Sequence, residues 1–352
     1  MASERAIPQP CHFEEARNGW GAMPLQYKDG LAFKLVGVWE RWDACWYAKT
    51  ATYGYTTDGG TAFFPLFSML ERVVALFGPH VVVAGMLLNV VVATAALWGL
   101  YRIVVRDVDA ATARRAMLLL AIFPGALFLL APFSEAVCLA CAVWAIERAR
   151  AGSWGAALVL AFLEGLSRPV GGLVALPLAW LAWRQRPPGR RAALAAAAVV
   201  AAPASGLLYL AYTVRVVGRS MFDASAAWGT ESFHAPWEVF AATVAWIRRT
   251  GDPLQALDLT LLVVFLVLVV VGIRRLPADL TLYAVPQLYL AWSRLLPTPL
   301  TSTPRYLLVI FPAFIVLALL LRERRAHWAY AILSLLLLGA LANEFVVGDF
   351  VG

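Results

Sequence analysis

HVVVAGMLLNVVVATAALWGLYR, residues 80–102, decides the fold class. A helix that crosses a bilayer needs about 20 mostly apolar residues, with a range of about 17–25, and this run has that length without a break. Comparable runs follow at 115–131, 133–148, 153–167, 169–184, 192–216, 257–273, 279–296, 305–321 and 327–346. Of the 352 residues, 61% are hydrophobic and 14% charged, and the mean hydropathy is +0.72. Soluble domains are about 45–50% apolar and about 25% charged, so lipid tails must solvate most of this chain. No polar block of domain size separates the runs. The sequence therefore predicts an all-α polytopic membrane protein with one domain of about ten transmembrane helices over 80–346.

Four of the runs, between 115 and 184, are short. They read either as thin, tilted spans or as two helical hairpins broken at Pro132 and Pro169. Such breaks are tolerated in a membrane only where the freed backbone groups face protein or water, which points to a cavity beside them.

Arginines set the orientation. They cluster at 106–115, 148–150, 184–191, 274–275 and 322–325, and with ten spans all five clusters fall on one side. Cytoplasmic loops carry the excess of Lys and Arg, so this side is cytoplasmic and the net charge of +7 reflects topology. No nucleic-acid partner is expected. The other side collects residues 1–79, the turns at 132–135 and 163–169, the loop 218–256, the stretch 293–305 and the C-terminal tail 347–352. Residues 1–60 hold no spanning helix; the best apolar stretch, LAFKLVGVW, has nine residues and an internal Lys34. Either a helix upstream or the first span must carry this segment outward. Cys138 and Cys141 form a C-x-x-C inside a lipid-compatible run with too few ligands for a metal, and Cys11 and Cys45 give no sign of pairing.

Chemistry concentrates on the outer side. ERWDACWYAKTATYGY (40–55) is followed by GGTAFFPLFSML (59–70). Asp43 stands beside Trp42, with Trp46 and Tyr47 one turn on. Aromatic faces pack on the C–H patches of a sugar while a carboxylate accepts its hydroxyl protons. The competing reading is an interfacial aromatic belt that anchors the headgroup zone.

The spacing W-D-x-x-W-Y, then G-Y, then F-F-P-L (Phe64, Pro65) resembles the start of the PIG-V-like mannosyltransferases. This is the family of the second mannosyltransferase of glycosylphosphatidylinositol assembly and its bacterial relatives. Further elements resemble the family in order. FPGALFLLAPFSEAV (123–137) carries Ser134 and Glu135, LEGLSRPVGGLVALPL (163–178) carries Ser167 and Arg168, and TPRYLLVIFPAFIVLA (303–318) carries Arg305 and Tyr306. Phe222, Trp228 and Pro236 in the external loop match loosely. The resemblance covers about residues 39–320 and departs at the N-terminus, where family members usually begin with a membrane helix.

The resemblance implies a GT-C-like bundle whose extracytoplasmic loops form the active face of a multi-pass protein, here of a bacterial plasma membrane. It implies transfer of mannose, with inversion, from polyprenyl-phosphate mannose to a glycolipid, lipoglycan or other lipid-linked acceptor. Asp43 would be the general base. Trp42, Trp46, Tyr47, Phe64, Pro65, Ser134, Glu135, Ser167, Arg168, Arg305 and Tyr306 would bind substrate, with no resident cofactor and no metal ligands assigned.

Other residues have plainer readings beside the functional one. Arg168, Arg305 and the weaker candidate Arg294 either stabilise a phosphate leaving group or snorkel to headgroups. Glu135, an ionisable group after a proline break, is a site candidate, whereas Glu164 can pair with Arg168 one turn away. Glu71 with Arg72 reads as a polar helix face, with Asp58 close by. His80 and His234 lack the spacing of metal ligands. Residues 236–249 can form an interfacial helix with Trp237, Phe240, Val244 and Ile247 on one side. Against the enzyme stand a transporter or lipid flippase, which commonly shows internal repeats not found here, and a non-catalytic membrane subunit.

Overall fold

Proline and aspartate mark where several of the helices begin. Asp252 accepts from the backbone N–H groups of Leu254 (2.9 Å) and Gln255 (3.3 Å), and Asp109 accepts from that of Thr112 at 2.7 Å. Each satisfies donors that the first helical turn leaves orphaned. Pro65, Pro236, Pro253 and Pro304 stand in the first turns of their helices, where a missing N–H costs nothing. The computed structural model of the protein describes residues 30–57, 59–226, 234–295 and 298–347, and every regular element among them is helical.

In chain order the α-helices are α1 (Gly30–Leu35), α2 (Asp43–Tyr53), α3 (Pro65–Ala75), α4 (Val81–Asp107), α5 (Ala110–Ala121), α6 (Glu135–Arg150), α7 (Trp154–Gly165) and α8 (Ala175–Gln185). They continue as α9 (Arg190–Tyr212), α10 (Met221–Ala226), α11 (Pro236–Thr250), α12 (Pro253–Arg275), α13 (Ala278–Trp292), α14 (Thr303–Leu308), α15 (Phe311–Leu320) and α16 (Arg324–Val347). Each apolar run carries helix. Four helical segments among the described residues are long and apolar enough to cross a membrane alone: Val81–Asp107, Arg190–Val217, Pro253–Arg275 and Arg324–Val347. The protein is thus a helical membrane protein by the length and composition of these four. Cys11, Asp58, Trp228 and residues 348–352 lie outside the described residues.

Helices pack closely where side chains are small. Gly165 on α7 lies against the Ala202 carbonyl and Ser205 of α9, and Gly99 on α4 lies against Val143 of α6, with no room for a Cβ at either position. Small residues serve this purpose in membranes because lipid provides no hydrophobic drive for helices to associate.

The chain does leave the α-helix around Pro132 and from Pro169. Residues 124–129 and 169–174 form 3₁₀ turns. Asn89 on α4 compensates the first break, donating from Nδ2 to the carbonyl of Phe133 (2.9 Å) and to that of Ala131. Glu71 differs from its expected place. Arg72 is exposed, but Glu71 is fully buried, its carboxylate set against Gly85 with no hydrogen-bond partner on either oxygen. Burial pushes its pKa well above the usual carboxylate range.

Helix α6 orients the bundle. At its C-terminus, Arg150 donates to Asp279 at 2.6 and 3.1 Å and to Asp107 at 2.6 Å. Gln185 donates to the Ala149 carbonyl at 2.9 Å. The ends of α4, α6 and α8 and the start of α13 therefore share one arginine-rich end. Glu135 opens α6 at the other end, roughly 22 Å away at about 1.5 Å per residue.

Replacing Asn89 with Leu should destabilise the protein by about 1–3 kcal/mol, because the buried Phe133 carbonyl loses the Asn89 donor and that of Ala131 keeps only the Phe133 N–H; thermal unfolding in detergent measures it. For Glu71 the folded pKa lies above the unfolded value. Its stabilising contribution is complete below the unfolded pKa of about 4.3 and is lost as pH rises through the folded pKa. Glu71→Gln should therefore gain stability over wild type progressively towards alkaline pH. Parallel pH–stability curves would contradict this.

Candidate functional site

Two segments bring charge to the end opposite Arg150, and both take unusual backbone conformations. Among the described residues four that are not glycine have positive φ: Trp42 (52°), Arg186 (44°), Leu300 (58°) and Ser302 (68°). Trp42 immediately precedes Asp43, and Leu300 and Ser302 lead into Arg305. Such conformations cost about 1–3 kcal/mol each and cluster at functional sites.

The two segments meet through one guanidinium. Arg305 Nη2 lies 2.6 Å from Asp43 Oδ2, and its Nε donates to Glu135 Oε1 at 2.5 Å. The same Glu135 oxygen pairs with Arg168 Nη1. Side-chain exposure falls inward, from 22% for Asp43 to 6% for Arg305 and 0% for Glu135. Glu135 also gains from its place in the first turn of α6, where the helix dipole favours negative charge. Asp43 is the carboxylate that the mouth exposes.

Tyr306 gathers the cations. Its ring centroid lies 4.5 Å from the Arg294 guanidinium, 5.1 Å from that of Arg168 and 5.9 Å from that of Arg305. Phe128 and Phe133 flank Arg305 at 5.5 and 5.0 Å. Three arginines thus face two ion-paired carboxylates, which leaves one positive charge in surplus.

The walls are pinned by tyrosines. Tyr47 donates to Ser134 Oγ at 2.8 Å, and burial, with the nearby charges of Asp43 and Glu135, raises its phenol pKa above the ordinary value. Phe63 stacks on Trp46 at 5.4 Å, and its carbonyl accepts from both Tyr55 (2.8 Å) and Tyr209 (2.9 Å). Gly125 abuts the Pro304 carbonyl with no room for a Cβ, which ties the Phe-Pro-Gly turn to the segment of Arg305. Leu66 N–H donates to the Leu166 carbonyl at 3.0 Å, which ties α3 to the segment of Arg168.

The structure brings Asp43, Glu135, Arg168, Arg294, Arg305 and Tyr306 into one cluster, with Tyr47 and Ser134 beside it. Trp42 is partly exposed at the mouth, whereas Trp46 is buried against Phe63. Phe64 is buried against Tyr209 at 4.9 Å, and Pro65 starts α3. Ser167 donates to the Glu164 carbonyl at 2.7 Å, a local role. Glu164 does not take Arg168: its carboxylate is buried with no hydrogen-bond partner, and Arg168 turns to Glu135 instead. Cys45 is disulfide-bonded, unlike the expectation, and Cys138 and Cys141 are free thiols. His80 caps α4 by accepting from Val82 N–H at 3.4 Å, and His234 lies 3.8 Å from Glu238. Among the described residues no three His, Cys, Asp or Glu side chains gather as a metal cage requires. On α11, Val239 and Thr243 face the bundle while Trp237 and Phe240 face outward.

Sequence reading missed Phe63, Phe128, Phe133 and the Tyr55–Tyr209 clamp. Phe128 and Phe133 lie inside a quoted motif, but nothing in their spacing announces a cation as far along the chain as Arg305. No family model and no curated protein matches the chain.

Glu135→Gln should cost about 3–5 kcal/mol, the penalty for stranding a buried charged partner. Asp43→Asn should cost much less, because Arg305 keeps Glu135 and water reaches the mouth. Equal melting temperatures for the two variants would contradict the inward gradient.

Proposed function

We propose that this protein is a polytopic membrane glycosyltransferase of the PIG-V-like kind, with a GT-C-like bundle of about ten spans. It transfers mannose from polyprenyl-phosphate mannose to a lipid-linked acceptor at the extracytoplasmic face of a bacterial plasma membrane. The observation that carries the reading is the pairing of a partly exposed carboxylate, Asp43, with a cationic cluster that has one charge in surplus. A glycosyl phosphate needs both. The carboxylate receives a proton and the cations receive a developing phosphate charge.

The step follows from these groups. The acceptor hydroxyl oxygen attacks the anomeric carbon from the face opposite the phosphate, while its proton passes to an Asp43 oxygen. The bond between the anomeric carbon and the phosphate oxygen breaks, and its electron pair leaves on the lipid phosphate. Attack from the opposite face inverts the configuration. Arg168, Arg294 and Arg305 are suited to the leaving charge because a water-poor site strengthens such interactions, and Glu135 holds two of them in place. Trp42 at the mouth offers a face for the sugar ring.

Two features support the outer placement. The arginine-rich end holds Arg150 and lies at the opposite end of α6, and positive loops mark the cytoplasm. Cys45, two residues from Asp43, is disulfide-bonded, and disulfides persist in oxidising compartments.

Membranes carrying the wild type should incorporate radiolabelled mannose from polyprenyl-phosphate mannose into lipid. Asp43→Asn, present at equal abundance, should lose about 10²–10⁴-fold, the usual worth of a general base. Equal incorporation by both would remove Asp43 from the mechanism. No incorporation by either, across a broad acceptor extract, would favour the transporter or subunit reading.

A further inference from the structure

The arginine-rich end, far from Asp43, contains a cleft that glycosyl transfer does not use. It has a volume of about 500 Å³ and is lined by Arg106, Asp107, Arg150, Trp180, Arg184 and Asp279, among others. That volume lies within the range of about 300–1,000 Å³ typical of small-ligand sites. A second hollow of about 310 Å³ shares Asp107 and Pro277 with it and is walled by Val104, Val108, Leu280 and Ile315, with Arg275 at its lip.

Charge in the cleft is divided in a specific way. Asp107 and Asp279 both accept from Arg150 at 2.6 Å, so the two carboxylates are held by one buried cation on the floor. Arg106 and Arg184 on the rim are exposed and make no ion pair among the described residues. Counting Arg275, four cations face two carboxylates across the two hollows. The Trp180 and Trp183 rings lie 5.0 Å apart on α8 at a tilt of 43°, and Trp183 projects outward. Trp at this position matches the headgroup level of a bilayer.

We propose that this cleft binds the headgroup of an anionic phospholipid from the cytoplasmic leaflet. The phosphate would lie between Arg106 and Arg184, and the adjoining apolar hollow would take the first part of an acyl chain. Basic pockets between transmembrane helices on the cytoplasmic side recognise acidic headgroups through this chemistry. A soluble anion would use the arginines but leave the apolar hollow unexplained. The site is independent of the activity at the other end, and its role is to clamp the ends of α4 and α8 to the start of α13.

The test uses full-length protein in phosphatidylcholine nanodiscs, with or without phosphatidylglycerol, read by thermal unfolding. Phosphatidylglycerol should raise the unfolding temperature by about 2–4 °C. The rim variant Arg106→Gln/Arg184→Gln should lose that shift, whereas Arg190→Gln/Arg191→Gln, at the same end but outside the cleft, should keep it. Native mass spectrometry should count fewer retained phosphatidylglycerol molecules on the rim variant, a readout that holds even if its melting temperature starts lower. The proposal is overturned if both double variants respond as wild type does, or if both lose the shift. It is equally overturned if inorganic phosphate or glycerol 3-phosphate in plain phosphatidylcholine gives the full shift, since that describes a free-anion site.

Discussion

A guanidinium that water barely reaches must be neutralised by the protein itself. Arg305 is such a group, and isolated burial of its charge would cost far more than the fold's whole stability. The solution is Glu135 on one side and Asp43 on the other. That requirement brings the start of α6, the start of α14 and the start of α2 to one point, although they lie far apart in the chain. The breaks at Pro132 and before α14 let these short segments point their side chains inward, where unbroken spans would present apolar surface. Asn89 and Gly125 are consequences of the same demand, since each satisfies or accommodates backbone that the breaks have freed.

How much of this was legible depended on range. The apolar runs announced the helices because spanning length and composition are local properties, and α4 and α12 lie close to their expected bounds. That a break separates the runs 115–131 and 133–148 was legible from Pro132, but α5 already ends at Ala121 and the 3₁₀ turn starts at Pro124. Asp43, Glu135, Arg168 and Arg305 stood out individually, each as a charge where apolar residues prevail. Their meeting was not legible from residue physics, because no periodicity links positions 43, 135, 168 and 305. Glu71 and Glu164 failed in the opposite direction. A neighbouring arginine suggested solvent or a local pair, yet helix packing buried both carboxylates, and packing is set by residues such as Gly85 and Gly171 on other segments. Cys45 escaped because a disulfide partner carries no local signature.

The strained residues follow a similar logic. Trp42, Leu300 and Ser302 hold positive φ without the freedom of glycine. Local sequence would choose other conformations, so the surrounding contacts must over-determine these. Around Trp42 those contacts are the Asp43–Arg305 pair and the packing of Trp46 on Phe63. Around Ser302 they are the burial of Thr303 and Arg305 and the Thr303 hydroxyl bond to the Leu300 carbonyl at 2.6 Å. A rigid mouth is the result: rotation of either loop would relax the backbone but would unpair a buried charge.

That rigidity bears on how a carboxylate paired with arginine can act as a base. The Arg305 guanidinium, 2.6 Å away, occupies the Asp43 oxygen that would receive the proton. On the glycosyl-transfer reading the donor itself removes the obstacle. Its phosphate adds negative charge beside Arg168, Arg294 and Arg305, and a guanidinium that shares its field with a phosphate holds Asp43 less firmly. An Asp43 oxygen is then freed for the acceptor hydroxyl when the donor is bound and stays occupied when it is absent. As the leaving phosphate gains charge during the reaction, Arg305 is drawn further from Asp43 at the moment the proton arrives. The cluster therefore couples leaving-group stabilisation to release of the carboxylate through one residue, which gives a physical reason for Asp43 and Glu135 to share Arg305.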